Sequence, residues 1–200
     1  MSDFSTLRKV LKSDCGISDA EFTEFVSLVT VIDLAKNEFL FREGEIDHYL
    51  AFVHRGCLRY YLVDRAGDEH TVYFALENWW VGDMDSFFNA KPTLYYLQAL
   101  EPAHLYALSR ENFQHALDTI PAFNEFFKLK TRQSYAVMQR RFVEQNAETA
   151  EEKYLRLLRA QPGIFQRVPQ YLIASYLGIK PQSLSRIRKK ISDAGDEKLT

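Results

Sequence analysis

The chain has 200 residues, a formal net charge of −2, 46% hydrophobic residues and 14% aromatic residues. That length can bury a sizeable core in one or two domains, and so many aromatics belong to a folded rather than a disordered chain. Two cysteines, Cys15 and Cys57, lack metal-type spacing, which excludes a zinc-finger framework or an all-cysteine iron–sulfur cluster and fits a reducing compartment. No apolar run approaches the roughly 20 residues that span a bilayer. The N-terminus MSDFSTLRKVLKSD has no apolar core leading to a small-residue cleavage site. The expectation is a cytoplasmic protein with no membrane partner.

In chain order, Ser18 opens SDAEFTEFVSLV, a capping residue and early acids before apolar positions at helical spacing. From about Thr30 to Leu108 the texture changes to short β-branched and aromatic runs: TVIDL, EFLF, YLAFV, CLRYYLV, HTVYFAL, LYYLQAL and HLYAL. Turn residues such as Glu43-Gly44-Glu45, Arg55-Gly56, Ala66-Gly67-Asp68 and Gly82-Asp83 separate them, which predicts an antiparallel sandwich or β-roll. Arg59-Tyr60-Tyr61 reads as strand faces. Ser109 marks another helix start, and Pro121 suits the first turn of a helix running to about Glu148 without Gly or Pro. Phe127, Thr131, Tyr135, Met138 and Phe142 share one face of that helix. The stripe either packs on the chain's own roll or forms the seam of a two-fold homodimer; at 1.5 Å per residue the helix reaches about 40 Å and overhangs a roll of that size, which favours the seam.

Charge is uneven along the chain. Residues 1–150 hold 15 Lys+Arg against 22 Asp+Glu, a balance of −7, whereas residues 151–200 hold 10 against 5, a balance of +5. From Arg167 to Ile191 there are six cations and no carboxylate, which points to an anionic partner for one end only. Within that stretch, YLIASYLGIKPQSLSRIRKKI meets the needs of a helix–turn–helix. Ala174 allows close helix approach, Gly178 tolerates positive φ in the turn, and Pro181 suits the first turn of the second helix. Ile173, Leu177, Ile179, Leu184 and Ile187 supply the shared core. The opposite face then presents Lys180, Gln182, Ser183, Ser185, Arg186, Arg188, Lys189 and Lys190. Gln182 and Arg186 stand four residues apart on one face, where Gln can bond adenine and Arg guanine in the major groove. The hydroxyls and later cations suit phosphate oxygens.

The order of β-roll, long helix and C-terminal helix–turn–helix resembles the cyclic-AMP receptor protein and fumarate–nitrate regulator (Crp/Fnr) family of bacterial transcription factors. The resemblance covers nearly the whole chain and is carried by FREGEIDHYLAFVHRGCLRYYL, VGDMDSFF and IASYLGIKPQSLSRIRKK. It implies an α+β chain: an N-terminal cyclic-nucleotide-binding-like antiparallel β-roll over 1–120, a dimerisation helix over 121–149 and a helix–turn–helix domain over 150–200. It also implies a homodimer that binds double-stranded DNA at a two-fold-related site and works with RNA polymerase. Gln182 matches the family's base-reading acidic residue and Arg186 its arginine.

Two departures qualify what the resemblance implies. The family's phosphate cassette is matched at Gly82, Asp83, Met84, Asp85 and Ser86, but its later Arg-Ser pair is replaced by Thr93 and Leu94. Without the guanidinium the bidentate phosphate partner is gone, and Asp83 and Asp85 repel an anion. Phe87, Phe88, Tyr95 and Tyr96 add bulk where a nucleotide would need room. Cyclic AMP is therefore not expected to bind, no cofactor is expected, and no other effector is named by the sequence. The second departure is SDAGDEKLT after Ile191, too short and acidic for the family's β-hairpin wing.

Two rivals stand beside this reading. A cupin-type metal or ligand site needs clustered histidines on facing strands, and His48, His54, His70, His104 and His115 form no H-x-H pair. An adaptor would use the basic terminal helices on an acidic protein instead of DNA. No nucleophile motif or phosphate-cradling Gly loop marks an enzyme.

Overall fold

The computed structural model describes residues 3–196, with the side chains of 141–146 and 192–196 excepted. Two helices come first, α1 (Ser5–Cys15) and α2 (Asp19–Ser27). Ser18 starts α2 through a reciprocal capping box with Glu21, as its spacing predicts. Eight strands follow: β1 (Thr30–Leu34), β2 (Phe39–Phe41), β3 (Tyr49–Arg55), β4 (Leu58–Val63), β5 (Glu69–Ala75), β6 (Trp80–Val81), β7 (Tyr96–Ala99) and β8 (Ala103–Ser109). The short helix α3 (Met84–Asn89) lies between β6 and β7. The strands form two antiparallel four-stranded sheets, in the orders β1-β8-β3-β6 and β2-β7-β4-β5. The chain then becomes helical: α4 (Arg110–Thr119), α5 (Pro121–Ala147), α6 (Ala150–Ala160), α7 (Ile164–Arg167), α8 (Gln170–Leu177) and α9 (Pro181–Asp196).

Three cores organise the molecule. Ala51, Val53, Leu58, Tyr60, Leu97, Leu105 and Ala107 fill the space between the sheets. Their neighbours Leu50, Phe52, Tyr106 and Leu108 face the other way, onto α1, α2, α4 and the start of α5. On the second sheet, Cys57 and Phe74 turn outward into a core shared with α6, α8 and α9. The central strands β3 and β4 are thus covered on both faces. For this reason β3 and β4 are buried almost continuously and show little of the alternation expected of a half-wet strand.

Gly56 ties the two sheets together. Its φ is +114°, and a Cβ there would come within 2.6 Å of the Ala103 Cβ, so only glycine fits the β3–β4 turn.

Candidate functional site

The C-terminal helices have the geometry that their sequence demands. α8 ends in Gly178 at φ +68°, whose N–H bonds the Ser175 carbonyl at 3.1 Å, while the Ile179 N–H bonds that of Ala174 at 3.0 Å. Two residues later α9 begins, its first turn bonding Ser183 and Leu184 N–H to the Lys180 carbonyl. Ile173, Ala174, Leu177 and Leu184 are buried together, with Ile179 and Ile187 packed against them. Lys180, Gln182, Ser183, Ser185, Arg186, Lys189 and Lys190 are exposed, and Arg188 is half-buried. Gln182 and Arg186 thus share an open face. Lys190 pairs with Glu151 of α6 at 2.7 Å, and Ser185 Oγ donates to the Pro181 carbonyl at 3.2 Å, so these two already have partners within the chain. α9 runs on to Asp196 where the family's wing would begin; residues 197–200 lie outside the described residues.

The helix–turn–helix is fastened to the roll. Ser175 Oγ accepts the Thr71 N–H at 3.0 Å and donates to the Glu69 carbonyl at 2.7 Å, so one hydroxyl satisfies two backbone groups on the edge of β5. Arg167 holds Glu77 through two nitrogens at 2.7 and 2.9 Å and reaches Glu101 at 2.5 Å. The Arg167 guanidinium pulls the Glu77 carboxyl down to about 2, and the carboxylates in turn raise Arg167.

The cassette expected around Gly82–Ser86 lies where β6 meets α3, and it is occupied by the chain's own carboxylates. Asp83 caps α3, accepting from the Asp85 N–H at 3.1 Å and the Ser86 N–H at 3.4 Å. Thr93, only 2% exposed, donates to Asp83 Oδ2 at 2.5 Å. The residue standing where the family has arginine thus binds the acid of the turn. Sequence reasoning missed Asp47. This aspartate is 1% exposed, accepts the Asp83 N–H at 2.7 Å and the Tyr49 N–H at 3.1 Å, and its own N–H bonds Ser86 Oγ at 2.8 Å. Burial pushes the Asp47 carboxyl up to about 6. A Cβ on Gly82 would meet Asp47 Oδ2 at 3.1 Å, which leaves no space between them.

The bulky residues divide between surfaces. Tyr95 stacks on Tyr60 at 4.6 Å, and Tyr60 stacks on Tyr73 at 4.7 Å, filling space between the sheets. Phe87 is fully buried. Tyr96, in contrast, stacks on Tyr61 outside the roll, and Phe88 is 44% exposed, so neither fills the interior. Side chains alternate along a strand, which sends neighbours to opposite faces. Met84 and Leu94 are exposed as well.

α5 changes character along its length. Phe123 and Phe126 pack onto the roll, and Phe127 is half-buried against Phe88 and Phe113 of its own chain. Phe127 is thus packed on its own chain, and the exposed part of the predicted stripe starts at Thr131. From Thr131 to Arg140 every residue is exposed, with Tyr135 at 58% and Met138 at 61%. Beside it an apolar groove of about 310 Å³ is walled by Trp80, Met84, Phe88 and Phe126. Phe142 lies outside the described side chains.

Histidines pair singly: His104 with Asp33 at 2.5 Å, His70 with Asp64 at 2.7 Å. Among the described residues no three His, Cys, Asp or Glu are grouped to hold a metal. Nor, among them, is any helix long and apolar enough to cross a membrane.

Comparison with known proteins fits this geometry. Residues 31–119 match the cyclic nucleotide-binding domain family. No curated protein sequence matches the chain. Among solved structures, the c-di-GMP-responsive global regulator CLP of Xanthomonas campestris superposes with a TM-score of 0.69 at 15% identity, over 89% of this chain and 93% of that one. FixK2 from Bradyrhizobium japonicum gives 0.70 at 16% identity, over 84% and 86%. The catabolite activator protein of Thermus thermophilus gives 0.56 at 21%, over 92% and 87%. At these identities the likeness is one of fold. Residues 31–119 are thus similar to the cyclic nucleotide-binding domain family, in a chain that shares the fold of these three solved structures.

Proposed function

We propose that this protein is a DNA-binding transcriptional regulator. It acts as a homodimer, reads a two-fold-related site through α9 and is not gated by cyclic AMP. The observation that carries the reading is the exposed face of α9. A tightly packed helix pair offers Gln182 and Arg186 side by side, followed by a run of cations with no acid through residue 191. Base edges in the major groove suit the first pair, and phosphates suit the cations.

Dimerisation rests on the bare second half of α5 and the apolar groove beside it. Two copies joined there would present two reading helices, whose half-sites should lie about 34 Å apart. Independence from cyclic AMP rests on the cassette, where Asp47, Asp83 and Thr93 satisfy one another. An incoming phosphate would meet two carboxylates, with Thr93 bonded to Asp83 where the resemblance places an arginine. Contact with RNA polymerase at promoters belongs to the same proposal.

The test is fluorescence anisotropy with duplexes selected from random-sequence DNA. The enriched site should be palindromic, and affinity should fall steeply with salt as phosphate counterions are released. A monomer that ignores duplex DNA even in dilute buffer refutes the reading. Calorimetry that finds low-micromolar cyclic AMP binding refutes the independence from that nucleotide.

A further inference from the structure

A cleft of about 520 Å³ opens between the outer face of the β2-β7-β4-β5 sheet and the start of α8, well apart from the Gly82–Leu94 cassette. Its volume falls within the range of small-molecule pockets. Arg59 of β4 lines it and is only 2% exposed. Two of its nitrogens are committed, Nε to Thr71 Oγ1 at 2.8 Å and Nη1 to Glu69 at 2.5 Å. Its third nitrogen, Nη2, is buried without a hydrogen-bond partner. An unpaired buried guanidinium nitrogen is costly, so such groups are rare unless something else meets them.

Two further features of the cleft point the same way. α8, whose Pro169, Tyr171 and Leu172 line the opposite wall, begins with no side chain capping its first amides. Amides at a helix start carry partial positive charge. At the rim, Lys36 is exposed and has no carboxylate partner among the described residues. Every donor left over therefore favours an anion. The charge balance limits how large that charge can be. Arg59 is already paired with Glu69, and Arg167 with Glu77 and Glu101, so a dianion would find only Lys36 uncommitted. Phe39, Tyr61 and Tyr171 give the rest of the wall an aromatic character, and Tyr171 is 60% exposed with room to stack.

We propose that this cleft binds a small aromatic monocarboxylate, its carboxylate meeting Arg59 Nη2 and the first amides of α8, its ring against Tyr171. The ligand would touch both the roll and the helix–turn–helix, bridging the two beside the Ser175 fastening. The site stands whether or not α9 reads DNA, because its test contains none.

Calorimetry of the full chain with sodium benzoate as probe, and inorganic phosphate in a parallel arm, decides it. One benzoate should bind per chain in the millimolar range or tighter, and phosphate more weakly. Arg59→Lys keeps the charge but loses the fork, and should weaken benzoate at least about tenfold. If circular dichroism shows that variant unfolded, Tyr171→Ala and Lys36→Ala, both at exposed positions, should each weaken benzoate by about threefold. No saturable benzoate binding, affinity unchanged by these substitutions, or tighter binding of phosphate would each overturn the proposal.

Discussion

The starts of α3 and α9 are the two places where the sequence points to an anion, and the structure treats them oppositely. At α3 the chain supplies its own anions: Asp83 caps the helix, Thr93 bonds Asp83, and Asp47 takes the Asp83 amide. At α9 the face carrying Gln182 and Arg186 is open, with no carboxylate between Arg167 and Ile191. The lesson is that an anion site is made by donors left unsatisfied, not by donors present. A family motif can persist in outline after its donors have been turned inward.

The largest expected effect lies under the open face. Leu184 is 1% exposed in the core that sets the angle between α8 and α9. Leu184→Ala should cost about 2–5 kcal/mol of local stability. Hydrogen exchange should show α9 amides losing protection while β3 and β8 keep theirs, and duplex binding should fail. Equal loss of protection throughout would mean that the C-terminal unit does not open separately from the roll.

Next comes the closed site, through pH. Asp47 has its folded carboxyl raised to about 6, above an unfolded value near 3.8. The folded chain thus holds a proton there that the unfolded chain has released. The stability this contributes is fully present below about pH 4 and lost as pH rises through about 6, for a total of roughly 3 kcal/mol. Denaturant melts of Asp47→Asn should lack this fall between pH 4 and 6, whatever the variant's absolute stability. Glu77, lowered to about 2, works in the opposite sense and is lost only below about 4.5, so the two contributions separate on the pH axis.

Third, Arg186→Ala should cost about 1–3 kcal/mol at a selected duplex and relax base preference at one position in each half-site. A uniform loss across all sequences would make Arg186 a phosphate contact instead. The smallest effect is expected at Lys190. Its pairing with Glu151 is solvent-exposed, so Lys190→Ala should change melting stability by about 0.5 kcal/mol or less while flattening the salt dependence of duplex binding.

Much of the molecule followed from local signals. Seven predicted strand runs appear as β1–β5, β7 and β8, because turn residues interrupt the pattern every 8 to 12 positions. Ser18, Ser109 and Pro121 start helices as their chemistry requires. Other elements carried too weak a signal. The two-residue strand β6 and the one-and-a-half-turn α3 are too short to show a period, and α1 begins at Phe4 without a side-chain cap.

What the sequence by itself determined is the class of each segment: the roll, the 27-residue α5, and the α8–Gly178–α9 turn with its basic outer face. These depend on periodicity, caps and turn residues, all of which act within a few positions. Only the tertiary structure decided which donors remain free. Asp47 reaches the Asp83 amide across 36 residues, and Arg59, which reads as an ordinary strand face, is buried at the back of a cleft whose other wall is the start of α8, more than a hundred residues downstream. Hydrogen-bond satisfaction is settled by whichever groups folding brings within about 3 Å, and no local pattern encodes that.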